Sequence, residues 1–269
     1  MPLPRQLAHL YGAFRMRSPR TGFHVFSNFV STLDGIVSLQ VRGHSGGGDI
    51  SGFSKQDRMV MGLLRAVADV VIVGAGALAA DPRHVWTAQA IFPELASEYS
   101  ELERKLGKRG PPLNVLVSAS GTVDLRLPVF AGGTVQALIL TTTSGSKRLL
   151  KQRVPSSVHI LALPSRAGKI SSAAMLEALD RLNVGKRVLI EGGPTLLAGF
   201  YKSRNLDEQF ITVAPQISGR DSEDGRLSLV MGKTFAPRDP LWGKLLDARR
   251  GTRLLFLRYA FPRIALHCG

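Results

Sequence analysis

Five short apolar runs, three of them closed directly by glycine or hydroxyl residues, limit the folds open to this 269-residue chain. Val70–Val73 (VVIV), Asn114–Val117 (NVLV), Ala137–Leu140 (ALIL), Val158–Leu161 (VHIL) and Arg187–Ile190 (RVLI) are apolar almost throughout rather than at alternate positions. That pattern belongs to strands covered on both faces, as in a parallel sheet flanked by helices. Helical spacing separates them. Met59, Val60, Leu63, Leu64 and Val67 fall on one face of a stretch from Ser54 to Ala68, and Ser54 followed by Asp57 is a capping signal. Further helices are expected at 173–182 and 195–201, with another ending at 149–153. This alternation gives an α/β chain in three α/β/α layers.

The flanks complete the expectation. His24–Ser31 (HVFSNFVS) reads as a strand, Asp34-Gly35 as a turn, and 43–52 (GHSGGGDISG) as a glycine-rich loop. Near the C-terminus, 253–259 and 263–267 flank Ala260-Phe261-Pro262, which predicts an antiparallel hairpin closing one edge of a mixed, mostly parallel sheet. Residues 1–22 read as an N-terminal extension and 23–269 as one domain.

Composition excludes several function classes. Cys268 is the only cysteine, so an intrachain disulfide and a cysteine zinc site are both impossible, and a reducing compartment is expected. No signal peptide or membrane-length apolar run is read, which makes the cytoplasm the expected location. Lys plus Arg exceed Asp plus Glu to give +15, which favours anionic partners. The basic residues are dispersed and lack the interleaved aromatics of a base-stacking platform, so nucleic acid is not the expected partner. HExxH and a Walker lysine are absent, and the histidines lack metal-ligand spacing; no metal is expected.

The chemistry is expected at Val188–Gly199 (VLIEGGPTLLAG), where a buried strand runs through Glu191 into two glycines, a proline and a helix. Gly192 and Gly193 allow close backbone approach, Pro194 suits a first helical turn, and the amides at Thr195 and Leu196 face an anion. Gly74-Ala75-Gly76 ends a second strand, and two such turns on one side of a parallel sheet can face one pyrophosphate. This is not the GxGxxG fingerprint. Ser118, Ser120 and Thr141 follow strands and could donate to a ribose 2′-phosphate, which would select NADPH. Glu191 and Asp34 are the candidate proton donors, Asp34 also being placed to bond its own turn.

STLDG (Ser31–Gly35), LLRAVADVVIVGAG (Leu63–Gly76), LNVLVSASG (Leu113–Gly121) and the stretch from Ile190 to Gly219 together closely resemble the reductase domain of the riboflavin-biosynthesis deaminase-reductases. The resemblance runs from about Phe23 to Phe261. It implies a dihydrofolate-reductase-like fold, a homodimer, NADPH as cofactor, and reduction of the ribosyl group of 5-amino-6-(5-phosphoribosylamino)uracil to ribityl. It further implies that 193–199, the turn at Gly74 and Gly76, and Asp81 line the cofactor cleft, with Ser31 and Thr32 on the nicotinamide side. Arg65, Asp49 and Glu191 would hold the phosphorylated pyrimidine. Asn28 stands where the family commonly has lysine, Ala77 replaces a threonine, and Asp81-Pro82 is one residue shorter than the family's Asp-Asp-Pro. The sugar-phosphate end of the pocket is therefore where this chain is expected to differ. Deamination would fall to a separate protein. Two alternatives stay open: a dihydrofolate, pterin or other heterocycle reductase on the same fold, and a non-catalytic nucleotide- or nucleic-acid-binding protein.

Overall fold

A computed structural model describes residues 2–16, 22–41, 46–221 and 225–261. The chain begins with helix α1 (Arg5–Tyr11), strands β1 (His24–Ser31) and β2 (Ile36–Ser38), and helices α2 (Gly46–Ser51) and α3 (Lys55–Val67). Strand β3 (Val70–Gly74) leads into α4 (Ala75–Ala80), α5 (Ala88–Ile91) and α6 (Ala96–Lys105). Next come β4 (Leu113–Val117), α7 (Pro128–Ala131), β5 (Ala137–Thr141), α8 (Thr143–Leu149) and β6 (Val158–Ala162). The short strands β7 (Ser165–Arg166) and β8 (Lys169–Ile170) precede α9 (Ser172–Arg181), β9 (Arg187–Ile190) and α10 (Pro194–Lys202). Strands β10 (Glu208–Val213), β11 (Leu227–Ser228), β12 (Lys244–Arg250) and β13 (Leu255–Ala260) close the described chain.

Nine strands form one sheet in the order β12-β13-β10-β1-β9-β3-β4-β5-β6. Every pairing from β10 through β6 is parallel, and β13 lies antiparallel to both of its neighbours. This is the mixed, mostly parallel α/β sheet expected. The near-continuous apolar runs become its centre because both faces are covered. Val25, Val70, Ile72, Val188 and Ile190 feed one core layer; Phe26, Val71, Val73 and Leu189 feed the other. Among the described residues, no helix is long and apolar enough to cross a membrane.

Four local expectations are corrected. The hairpin is real, but its arms are β12 and β13 and its turn lies at 251–254, so residues 253–259 supply only one arm as predicted. Positions 263–267 lie outside the described residues. The second half of the 43–52 loop is helix α2, and the first part, at 43–45, also lies outside them. Gly74-Ala75-Gly76 is a helix start, with Gly74 as the N-cap of α4. Finally, the stretch read as an N-terminal extension contributes Leu3, Leu7, Tyr11 and Phe14 to the larger core, with Leu7 fully buried.

Helix α3 carries much of the site, and its packing is tight. Ser54 caps its N-terminus by accepting from the Asp57 amide at 3.4 Å. At its C-terminus Lys108 Nζ donates to the Ala66 carbonyl at 2.9 Å and the Ala68 carbonyl at 2.5 Å. Gly62 lets Tyr99 cross the helix, because a Cβ there would lie 2.5 Å from the tyrosine ring. Gly62→Ala is therefore expected to destabilise the protein by about 1–2 kcal/mol net, despite alanine's better helix propensity. Chemical denaturation of the two proteins measures it.

Candidate functional site

Parallel strands deliver the ends of β1, β9, β3, β4 and β5 to one side of the sheet, where open α/β sheets bind ligands. At the centre β9 leads directly into Glu191, whose amide continues the sheet by donating to the Ile72 carbonyl at 3.0 Å. The chain then turns through Gly192 (φ 107°) and Gly193 (φ 88°), backbone that only glycine adopts without strain. Gly193 caps α10, and Pro194 occupies its first turn. The turn is seated against β3: the Gly74 amide faces the Gly192 carbonyl at 3.4 Å, and a Cβ on Gly192 would come 2.7 Å from the Ala77 Cβ. The two glycine turns named from the sequence thus pack against each other, with Thr195 exposed and Leu196 half-buried at the start of α10.

Beside this cradle sits a buried ion pair. Arg65 Nε donates to Glu191 Oε2 at 2.7 Å, with side-chain exposures of 1% and 5%. Asn28 Nδ2 approaches Glu191 Oε1 at 3.5 Å from β1. Arg65 also donates through Nη1 to the Thr87 carbonyl at 3.3 Å, and its Nη2 lies 2.9 Å from His84 Nε2. His84 Nδ1 in turn lies 3.1 Å from Asp81 Oδ2. Asn28, Glu191, Arg65, His84 and Asp81 therefore form one continuous polar chain running from β1 to the loop after α4. Asp81, read as a cofactor-cleft residue, enters the site through His84.

A second carboxyl lies nearby. Asp57, two turns before Arg65 on the same face of α3, is buried, and the hydroxyls of Thr212 and Ser51 bond it. Burial pushes its pKa up to about 6 against the pull of those hydroxyls, and the charge of Glu191 adds to the rise. The sequence shows Asp57 only as a capping residue. Because folding raises its pKa, stability falls as pH rises from the unfolded value near 3.8 through about 6. Asp57→Asn removes that fall, and at pH 7 the variant is expected to gain at most about 2–3 kcal/mol relative to its standing at pH 4. Urea unfolding across pH 4–8 reads the difference.

Asp34 is exposed, and its carboxylate clamps the loop after β10 by accepting from the Ser218 amide at 3.1 Å and the Gly219 amide at 2.7 Å. The Thr32 hydroxyl and those amides pull its pKa down to about 2, which leaves it no proton to donate near neutrality. Ser31 donates to the Thr32 carbonyl, and Thr32 Oγ1 accepts from the Ile36 amide at 2.9 Å; both shape the turn into β2. Thr141 is fully buried with its hydroxyl on the Ser118 carbonyl at 2.6 Å, so it ties β5 to the end of β4. Ser118 is buried, whereas Ser120 is exposed beside Arg148, which donates to its carbonyl at 2.8 Å. Asp49 lies half-buried in α2, and Gly76 is exposed in α4. His84 was not anticipated; its only trace in the sequence is the three-residue spacing from Asp81.

The RibD C-terminal domain family matches this chain over residues 23–229. A 2,5-diamino-6-ribosylamino-4(3H)-pyrimidinone 5′-phosphate reductase of Archaeoglobus fulgidus is 27% identical over 201 residues, which is 74% of this chain and 84% of the relative. Among solved structures, RibD of Acinetobacter baumannii superposes with a TM-score of 0.68 at 20% identity, covering 90% of this chain and 58% of its own. The chain thus spans somewhat over half of that longer protein. A pyrimidine reductase-like protein of Corynebacterium diphtheriae gives a TM-score of 0.67 at 20% identity, covering 96% of this chain and 98% of its own. With the glycine turn, the fold and the matched length in agreement, the chain belongs to the RibD C-terminal domain family.

Proposed function

We propose that the protein is an NADPH-dependent reductase that converts the ribosyl group of a 5-amino-6-(5-phosphoribosylamino)pyrimidine to ribityl. The observation that carries this reading is the Gly192-Gly193 turn, seated on Gly74 at the head of α10 and adjoining the buried Arg65–Glu191 pair. A dinucleotide fits the residues present: Gly76 leaves open space beside the turn, and a nine-residue helix opens there, whose first-turn amides have no partner within the helix. Gly74, Gly76, Gly192, Gly193, Pro194, Thr195 and Leu196 would hold the phosphates, with Asp81 bordering the cleft. Ser118 and Ser120, with Arg148 alongside, would face the 2′-phosphate, Thr141 supporting them from beneath.

When bound, the reduced nicotinamide would supply the hydride that C1′ accepts as the C1′–O4′ bond opens, O4′ leaving as a hydroxyl with a proton taken from water. The protein's own contribution is placement. Glu191, oriented by Arg65 and Asn28, accepts from pyrimidine N–H groups; Ser31, Thr32 and Asp49 border the same pocket. Asn28 in place of a lysine removes a positive charge from the sugar-phosphate end. The uracil named from the sequence and the diaminopyrimidinone in the archaeal relative's name differ only at C2, so both belong in the assay. We extend the reading to a homodimer working in the cytoplasm, on the family resemblance.

The experiment mixes purified protein with NADPH or NADH and each phosphoribosylaminopyrimidine, with dihydrofolate as control. NADPH oxidation that depends on one of the pyrimidines is expected. Oxidation with dihydrofolate alone would transfer the site to a different heterocycle.

A further inference from the structure

We propose that His84 is a positioning residue for this site: its neutral ring, with the proton on Nδ1, holds the Arg65 guanidinium in the orientation that pairs with Glu191. The tautomer follows from the partners. An arginine has donors only, so His84 Nε2, 2.9 Å from Arg65 Nη2, must present a lone pair. The ring proton then lies on Nδ1, which is 3.1 Å from Asp81 Oδ2 and donates to it. Trp86 packs on the ring at 4.9 Å between centroids and limits its rotation. Arg65 is thereby fixed on three sides, by Glu191, by the Thr87 carbonyl and by His84.

This arrangement exists in only one protonation state. A proton on Nε2 would remove the acceptor and set two cations against each other inside the protein, so the guanidinium would have to turn away from the ring. The charged groups facing His84 are Arg65 on α3, Asp81 at the end of α4 and Glu191 after β9. Burial is the largest influence and holds the ring pKa below the ordinary histidine value, Arg65 acts in the same direction, and Asp81 and Glu191 oppose them. Acidification is therefore expected to loosen Arg65, and with it the orientation of Glu191. Because Glu191 is read above as the group that meets the pyrimidine, the effect on substrate rests on that reading and appears in KM rather than kcat.

Two measurements on the full chain test the proposal. In protein labelled with ¹⁵N-histidine and free of substrate, the signal that disappears in His84→Gln should show a protonated Nδ1 and a bare Nε2 at neutral pH. It should also titrate below the usual histidine value near 6.5. In turnover, His84→Leu is expected to raise KM about tenfold, the worth of one hydrogen bond to a charged group, with kcat nearly unchanged. His84→Gln keeps an acceptor for Arg65 and a donor for Asp81 without a titrating ring, so it should restore KM at neutral pH and lose the acid-side rise in KM. An Nε2-protonated or charged ring at neutral pH would overturn the proposal, as would a His84→Gln variant that keeps the acid-side rise. The NMR result decides the matter even where neither pyrimidine turns over, and in that event the proposed substrate has failed rather than the tautomer.

Discussion

Glu191→Ala is expected to lower stability by about 3–5 kcal/mol and to abolish turnover. The stability loss follows from what the variant leaves behind: a guanidinium at 1% exposure, with the Thr87 carbonyl and a neutral histidine but no counter-charge. Removing one partner of a buried pair costs more than the pair itself contributes, because the orphaned charge stays desolvated. An Arg65→Met, Glu191→Leu double replacement of similar volume should recover most of the loss. It should not recover turnover, since no carboxylate remains beside the glycine turn. Urea denaturation of the two variants, set beside their NADPH oxidation rates, separates the structural from the functional share of the pair. A fully active double variant would remove Glu191 from the reaction.

Gly192→Ala is the second large effect, about 2–6 kcal/mol in stability together with nearly all cofactor affinity. At φ 107° any L side chain is strained, which costs about 1–3 kcal/mol. The new Cβ would also lie 2.7 Å from the Ala77 Cβ, and overpacking of that kind adds about 1–3 kcal/mol. Neither side can yield cheaply, since the obstacle is the Cβ of a helical residue and not the tip of a flexible chain. Relief would come by moving the turn away from α4, which dismantles the surface proposed to face the phosphates. Fluorescence titration with NADPH measures the loss of affinity. Thr195→Ala, on an exposed side chain at the same helix start, should leave stability unchanged and isolates the cofactor effect from the fold.

The strands were legible because their burial leaves a direct mark: VVIV and RVLI are apolar on both faces, and β9 begins and ends where that run does. The hairpin was displaced because β12 (KLLDARR) is an edge strand, mostly exposed, and carries no apolar signal, while Pro262 drew attention to the wrong turn. Helix α2 opens on three glycines, the poorest non-proline helix formers, and is held by packing on β1 that local sequence does not encode. Helix α4 is the reverse case, since its alanines and leucine favour a helix that Gly74 before it and Gly76 within it masked. At the site, Glu191 and Arg65 were named individually, but their pairing spans 126 positions and no periodicity announces it. Asp57 and His84 were missed for a related reason. A capping residue and a loop histidine acquire a buried role only through Thr212, Ser51 and Arg65, which reach them from elsewhere in the fold.

Reduction at C1′ of a phosphoribosylaminopyrimidine can be followed through the transferred hydrogen itself. NADPH deuterated at nicotinamide C4 on the transferable face is incubated with the protein and each pyrimidine, and the product is examined by mass spectrometry and NMR. One deuterium is expected, located at C1′ of a ribityl chain, with NADP⁺ formed in equal amount. Deuterium in the pyrimidine ring, or NADPH bound without any transfer to either pyrimidine, would contradict it.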